Sequence, residues 1–580
     1  VAVNGTAILL EVEGQVVGSQ QGVTFNETTE AVDVSNNEHR QRRVIPGMYG
    51  STIALDALYV PADAGYLALQ QAMRGHAMVD VTRIVNGYPQ YGARALITAL
   101  SARATDQAAA LMSAALTLDG GWYVTVACSL GIYNVQQYGA IGNGVVDDTA
   151  AIQDAINAAN AAGGGTVYFP PGTYKATNIT LAGMANITLM GAGAASILDN
   201  SGNNTRVFEI KTSSNHIAIE SLTFRGDFGI QTTDLPLQAG IEVKHSEFVS
   251  IRNCHFEKLC GDAITVGWTT HHVDIGNNSM DGGLGFVGMI GSTVDGYAEY
   301  IDVHDNTIRD TITAPRPPAG GINNPGSDDL IDGWGMKHVS IRGNTFNMQG
   351  TIATATKSNH AILLLAVEAE GQVVEDVAIV GNVIDGCISD DALYTSKAIE
   401  LDASQWYTGY TGMTNVSVVG NTIKNCSTAI AVFRPANSMV VSGNAIYDCK
   451  NGIKVTLGDY CTVQGNTIDK ASLGGIYLQG NGLVCVGNIL KDLAASGQGI
   501  VCVGDDSIVA NNLVHLGGAG CYGFSVEGNR NQIMFNTASH CLGYGIAMQG
   551  DYIHCIGNHY HDNGTDFADW GTNTITTLDE

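Results

Sequence analysis

Asparagine recurs along this chain at a spacing that leaves little freedom in how its larger part can fold. Asn253, Asn278, Asn306, Asn344, Asn382, Asn421, Asn444, Asn466, Asn488, Asn512, Asn536 and Asn558 mostly precede a small or β-branched residue and then an apolar one. Gly420-Asn421-Thr422-Ile423 is the clearest instance, and Asn253 and Asn558 fit more loosely. From Asn421 to Asn558 the interval is 22 to 24 residues, the length of one coil of a right-handed parallel β-helix. A second register keeps the same phase: Gly452-Ile453, Gly475-Ile476, Gly499-Ile500 and Gly545-Ile546. Stacked coils lie about 4.8 Å apart, so the asparagines read as an internal ladder in which each amide bonds its neighbour. They are not read as ligands.

The chain has 580 residues, too many for one core, and divides into residues 1–125, a short linker at 126–132, and the solenoid at 133–580. Its 72 glycines and 14% charged residues fit short strands and tight turns, so the expected class is mainly β. The net charge of -28 argues against a nucleic-acid-binding surface. Carboxylates outnumber Lys plus Arg by 11 to 7 in residues 1–125 and by 44 to 20 in the remainder, so the solenoid carries most of the acidity.

Val1 to Leu10 has no basic n-region followed by an apolar run, and no stretch reaches about 18 uninterrupted apolar residues. The expectation is therefore no membrane insertion, synthesis in a cytoplasm, and release by another route such as lysis. Eleven of the 12 cysteines fall in the solenoid. Cys387, Cys426, Cys449 and Cys541 each lie five residues after a repeat Asn, which predicts buried thiols on one interior line. No CxxC pair occurs, and no metal or cofactor is expected.

Residues 1–125 contain no Lys and alternate apolar with polar residues over Thr6–Val12 and Gln15–Val23, which predicts a hairpin. A polar stretch from Asp33 to Gly47 leads to a strand at Ser51–Tyr59. Pro61-Ala62-Asp63 then opens a helix with Leu67, Leu69 and Met73 on its apolar side. Further strands are expected at 77–86, 95–102 and 110–118, with Asp119-Gly120-Gly121-Trp122 as the exit turn.

That order of elements, with the wording from Asn4-Gly5-Thr6 to Asp119-Gly120-Gly121-Trp122, resembles the tail tube proteins of long-tailed bacteriophages. The resemblance implies a β-sandwich or barrel module with one helix, homo-hexameric rings stacked into a tube, and DNA only as cargo in the lumen. It also implies a place in the virion tail, assembled in the host cytoplasm. Arg40, Arg42 and Arg43 on the long loop become candidates for ring-to-ring contact, against the plainer reading of a solvated basic loop.

The solenoid opens with Gly142-Asn143-Gly144-Val145-Val146-Asp147-Asp148-Thr149, an apolar-sided helix carrying Ile152, Ile156 and Ala159, and then Gly163-Gly164-Gly165-Thr166-Val167-Tyr168-Phe169-Pro170. This resembles the amino-terminal cap of the pectate-lyase superfamily, in which a helix closes the open end of the coil stack. Asp147 or Asp148 is expected to cap that helix rather than to act in catalysis.

Between Asn306 and Asn421 the gaps widen to 38, 38 and 39 residues, so segments must project from the coils. Trp334, Trp406, Tyr407 and Tyr410 fall there, and aromatic faces beside carboxylates suit sugar rings. In the Gly-Ile register the residue after Ile faces outward, which places Glu242, Glu400 and Asp402 outside, Asp262 just before its strand and Arg434 just after another. Two carboxylates at about 5–9 Å could hydrolyse a glycoside, and a carboxylate beside Arg or Lys could support a lyase. The alternative is solvated charge on an acidic surface, and the superfamily resemblance transfers no catalytic residue. Three readings stay open: a tail tube subunit whose exterior β-helix contacts host-surface polysaccharide, a depolymerase or lyase anchored by the front module, and a noncatalytic adhesin.

Overall fold

The computed structural model describes residues 8–12, 15–17, 20–33, 44–58, 63–85, 88–103, 111–124, 131–203, 205–227, 239–292, 294–309, 329–348, 360–366, 372–387, 396–403, 412–434, 439–493, 497–516 and 522–577. Arg40, Arg42, Arg43, Trp406, Tyr407 and Tyr410 lie outside them. The described residues are mainly β, with two α-helices and two separate hydrophobic cores. No helix among them is long and apolar enough to cross a membrane.

The smaller core belongs to one seven-stranded antiparallel sheet. Its strands are β1 (Ile8–Val12), β2 (Gln15–Val16), β3 (Gln20–Asp33), β4 (Val44–Leu58), β5 (Met78–Val85), β6 (Tyr88–Arg103) and β7 (Leu111–Val124), in the spatial order β2-β1-β5-β6-β7-β4-β3. The predicted second strand at Gln15–Val23 is in fact two. β2 pairs with β1, whereas β3 crosses to the far edge and pairs with β4, so the Asp33–Gly47 segment is strand at both of its ends. Asp119-Gly120-Gly121-Trp122 does not turn out of the module but continues β7, with Asp119 opposite Arg94.

Helix α1 (Ala64–Gly75) is capped by Asp63, whose carboxylate accepts from Tyr66 N at 2.8 Å. It buries Tyr66, Leu69 and Ala72, one per turn, while Leu67 and Met73 are exposed. The predicted apolar side was thus rotated: the smaller Ala72 packs because Gly65 lets the helix approach β2, where a Cβ would lie 2.8 Å from Val17 Cα.

The larger core fills a solenoid of three parallel sheets. Each coil contributes one strand to each sheet in turn, as in Met413–Val419, Thr422–Lys424 and Thr428–Phe433. The long strands His255–Gly267 and Ser279–Ile290 run continuously from the second sheet into the third. Helix α2 (Thr149–Ala161) buries Ile152, Ala155, Ile156 and Ala159 at the first coil. Asp148 occupies its N-cap position but makes no side-chain cap bond. Its carboxylate accepts from Ile141 N and Gly142 N instead, while Asp147 accepts from Thr149 N.

Eleven asparagines, Asn278 to Asn558, form the ladder at the corner between the first and second sheets. Asn466 is a typical rung. Its Nδ2 donates to Asn488 Oδ1 at 2.9 Å and to Val441 O at 3.1 Å, and its Oδ1 accepts from Asn444 N and Nδ2. Asn253 stands outside the ladder, where Cys254 N meets Asn278 Oδ1. The Gly-Ile register has an equally direct cause: a Cβ on Gly452, Gly475 or Gly499 would meet the next coil's carbonyl oxygen at 2.4, 2.7 or 2.2 Å. Nine cysteines among the described residues, including Cys387, Cys426, Cys449 and Cys541, are buried.

Asn466→Ala should lower solenoid stability by about 3 kcal/mol, because Asn444 N–H and Val441 C=O are left buried without partners. Urea denaturation followed by far-UV circular dichroism reads this out. An unchanged midpoint would remove the ladder from the forces that hold the coils together.

Candidate functional site

The outer face of the third sheet gathers most of the charge that the sequence reading singled out. One register column runs Glu209, Glu242, Thr265, Gly288, Asp332, Leu363, Glu400, Ala431, Lys454 and Tyr477. Glu242 and Glu400 therefore do share one outward line, separated by intervening coils. They differ in what surrounds them.

Glu242 belongs to a closed ion-pair network. It lies 2.6 Å from Arg206 and 3.2 Å from Lys244, while Glu209 contacts Arg206, Lys211 and Lys244 at 2.5–2.8 Å. Burial pushes Glu209 up, but hydrogen bonds from Lys211 and Lys244 outweigh it and hold the carboxyl at about 2. The network ties adjacent strands of the sheet together.

Three coils on, the balance changes. Asp262, Asp329, Asp332, His360, Lys397 and Glu400 converge on adjacent strands of the same face. Asp329, Asp332 and Glu400 are only 2%, 2% and 6% exposed. His360 Nδ1 lies 2.7 Å from Asp329 Oδ1, His360 Nε2 lies 2.6 Å from Glu400 Oε2, and Lys397 Nζ lies 2.6 Å from Glu400 Oε1. Burial opposes charge on His360, yet the two carboxylates raise it to about 9, so the imidazolium persists at neutral pH. Burial likewise works against Glu400, and His360 and Lys397 hold it below its usual range.

Asp262 and Asp332 have no such cation among the described residues. Asp262 is a half-buried residue whose carboxylate lies over two glycines: a Cβ on Gly285 would sit 2.1 Å from its Oδ1, and one on Gly288 2.3 Å from its Oδ2. The same point above Gly288 is 3.3 Å from Asp332 Oδ1, so both acids converge there. Desolvation, reinforced by the Asp329 charge, pushes Asp262 up to about 7. Burial and then the Asp262 and Asp329 charges push Asp332 well above the carboxylate range. Asp332 Oδ1 has no hydrogen-bond partner among the described residues. The face thus holds a proton-retaining acid pair beside a carboxylate kept ionised, the separation of roles on which acid–base chemistry depends.

Asp262 was expected just before its strand, but it lies inside His255–Gly267, because that strand bends from one sheet into the next without a break. Trp334 was expected on a projecting segment. It ends the strand Ile331–Trp334, half-buried between Ile290 and Leu365. Asp402 shares that column one coil further on, and Arg434 directly follows the strand Thr428–Phe433. Asp329, Asp332, His360 and Lys397 were missed. Asp332 follows Ile331 as Glu242 follows Ile241, but Leu330 replaces the marker glycine and the phase had to be counted across an inserted segment. Beyond Glu400 the face continues as Lys397 5.3 Å from the Phe433 ring, then Lys454 5.9 Å from the Phe433 and Tyr477 rings.

Comparison with known proteins gives local matches. The family described as rhamnogalacturonase A/epimerase, pectate lyase-like, matches residues 132–216, and a right-handed beta helix region matches 334–522. Mannuronan C5-epimerase AlgE1 of Azotobacter vinelandii is 51% identical over 69 residues, 10% of this chain and 5% of the epimerase, so the chain spans only a small fraction of that relative. The solved Streptococcus pneumoniae surface protein and adhesin PfbA is 17% identical and covers 68% of this chain and 100% of its own, with a TM-score of 0.44. The tail of an empty gene transfer agent particle, refined with C6 symmetry, is 18% identical over 21% of this chain and 99% of its own, with a TM-score of 0.20.

The acid pair makes a pH prediction. A carboxyl with a folded pKa of about 7 and an unfolded one near ~3.9 supports the fold fully below pH 4 and loses that support as pH rises through 7. Asp332→Asn removes one charge of the pair. Relative to the parent it should gain stability as pH rises from 4 to 8, because burial first, and then the Asp262 and Asp329 charges, hold the Asp332 carboxyl above its usual range. Thermal melts at pH 4, 6 and 8 measure this, and a pH-independent difference would mean that Asp332 is not held above that range.

Proposed function

We propose that the solenoid cleaves a host-surface polysaccharide on the outer face of its third sheet, and that the front module assembles copies of the chain on a particle. The observation that carries the first half is the arrangement of one cluster: the Asp262 and Asp332 carboxylates converge above Gly288, where burial raises both, while Glu400 is paired with His360 and Lys397. Asp262, the more exposed of the pair, serves as general acid toward the glycosidic oxygen, with Asp332 sharing its proton. Glu400, oriented by His360 and Lys397, serves as base for a water.

Asp332 and Glu400 are two strands apart, about 9.6 Å of backbone at a spacing of ~4.8 Å. Phe433, Lys454 and Tyr477 offer ring faces and positive charge along the same side for the bound chain. The rhamnogalacturonase/epimerase match agrees with a glycan substrate, and Trp406, Tyr407 and Tyr410 remain proposed glycan contacts on the same reading.

Asp262→Asn and Glu400→Gln should each lower cleavage by about 100-fold or more while leaving binding in place. Activity should also fall above pH 7, as the acid loses its proton. Reducing-end and unsaturated-product assays on bound host polysaccharide measure both. Retained binding with no product from the parent protein would leave an adhesin.

A second reading concerns assembly, and the bare edge of the front sheet favours it. β3 is a 14-residue edge strand that pairs on one side with β4 among the described residues. Long open edges recruit further strands. On this reading the front modules close into hexameric rings stacked in a virion tail, with Arg40, Arg42 and Arg43 between rings, DNA in the lumen and the solenoid outside. Negative-stain microscopy of the intact chain should find rings or tubes with external knobs. Monomers alone at high concentration would exclude it.

A further inference from the structure

We propose that His540, His561 and Asp562 bind one divalent cation of the transition class, Zn²⁺ being the representative, at a corner near the end of the solenoid and apart from the third-sheet acids.

The coil stack builds this site. The strand Thr537–Ser539 lies against His559–His561 in register, with Ser539 opposite His561. His540 and Asp562 follow these strands at the same corner of successive coils, both with left-handed backbone at φ 58° and 56°. His540 N–H donates to His561 O at 3.3 Å across the corner. Asp562 Oδ2 consequently lies 3.1 Å from His561 Nδ1 and 3.9 Å from His540 Nε2, and one donor atom from each of the three residues falls within 4.8 Å of the others.

Those separations suit a metal. Donors bound at about 2.0–2.1 Å in a tetrahedron lie about 3.4 Å apart, so the two separations to Asp562 need only sub-ångström adjustment and the separation between the two imidazoles about 1.4 Å at most. All three side chains are exposed, which gives an ion a path in and leaves its remaining position to water. His515 supports the geometry without supplying a donor: its ring lies 4.6 Å from that of His540, and its Nδ1 is engaged with Ser539 Oγ at 3.0 Å.

The plainer reading is an exposed ion pair, but an ion pair needs one imidazole. Two rings aimed at one carboxylate oxygen repel if both are charged, whereas neutral rings and a carboxylate around a cation attract. The cluster Asp274, Asp302 and His304 on the first sheet shows the opposite solution. There Arg252 lies 2.5 Å from Asp274 and Arg342 2.7 Å from Asp302, so positive charge is already supplied and no cation is needed. No Arg or Lys ion pair reaches Asp562 among the described residues. Two imidazoles and one carboxylate favour Zn²⁺, Co²⁺ or Ni²⁺ over Ca²⁺ and Mg²⁺, which prefer oxygen donors.

The test is titration of the intact, metal-stripped chain with Co²⁺ and Zn²⁺, by visible absorption and calorimetry. One equivalent should bind, with ligand-field bands and no thiolate charge-transfer band, and excess Ca²⁺ should not displace it. His540→Ala/His561→Ala should weaken binding by at least about 100-fold, since even partners outside a coordination shell cost about 10–100-fold. Both positions are exposed, so metal-free melts should match the parent, and Zn²⁺ should raise the melting temperature of the parent alone. Absence of saturable binding, or affinity unchanged in the double variant, would overturn the proposal.

Discussion

The solenoid depends on one repeated interaction, the asparagine carboxamide that closes the corner between its first and second sheets. A carboxamide can donate and accept along the same line, so each rung satisfies the backbone N–H and the amide of the coil before it and is satisfied by the one after. The strands on either side then meet in register at every coil. Glycines at the opposite corner permit the close approach that this register imposes, because any Cβ there would collide with a carbonyl oxygen. Burying eleven amides is tolerable only because all of them are paired.

Register has an electrostatic consequence. Stacking sets like positions about 4.8 Å apart, so every charge on an outer face must be answered by a neighbour in its own column or the next. The first sheet answers by interleaving: Arg252, His304 and Arg342 stand among Asp274, Asp302 and Asp305. The early third sheet does the same with Glu209 and Glu242 against Arg206, Lys211 and Lys244. At Asp262 and Asp332 the rule is broken. Gly285 and Gly288 clear space for the two acids, no cation pairs with them among the described residues, and burial with their mutual charge raises both above the ordinary carboxyl range. The fold bears that cost at one place on the face, which is why the cluster reads as functional and not as another element of support.

The two parts of the chain treat strand edges differently. Helix α2 covers the first coil of the solenoid with Ile152, Ile156 and Ala159, removing an edge that would otherwise seek partners. The front sheet ends on β2 and β3 with no such cover among the described residues. One module closes its edge, and the other leaves β3 open among the described residues. A particle that displays a glycan-directed solenoid on an assembling base would use both properties.

What the sequence determined by itself is whatever repeats. The Asn interval, the Gly-Ile register, the buried cysteines and the cap helix were legible because each repeat must satisfy the same corner and the same interior, leaving a period in the text. Outward placement of Glu242 and Glu400 followed from strand alternation alone. Tertiary structure decided the rest. Whether a carboxylate is neutralised or left to hold a proton depends on residues that the coils bring together from distant positions in sequence: Glu242 meets Arg206 and Glu400 meets His360, whereas Asp332 meets Asp262. Asp332 and His360 were hidden for the same reason, since insertions interrupt the count that would have aligned them. In the front module β3 crosses to the far edge and α1 turns Ala72 inward, choices set by long-range pairing and close packing that no local alternation records.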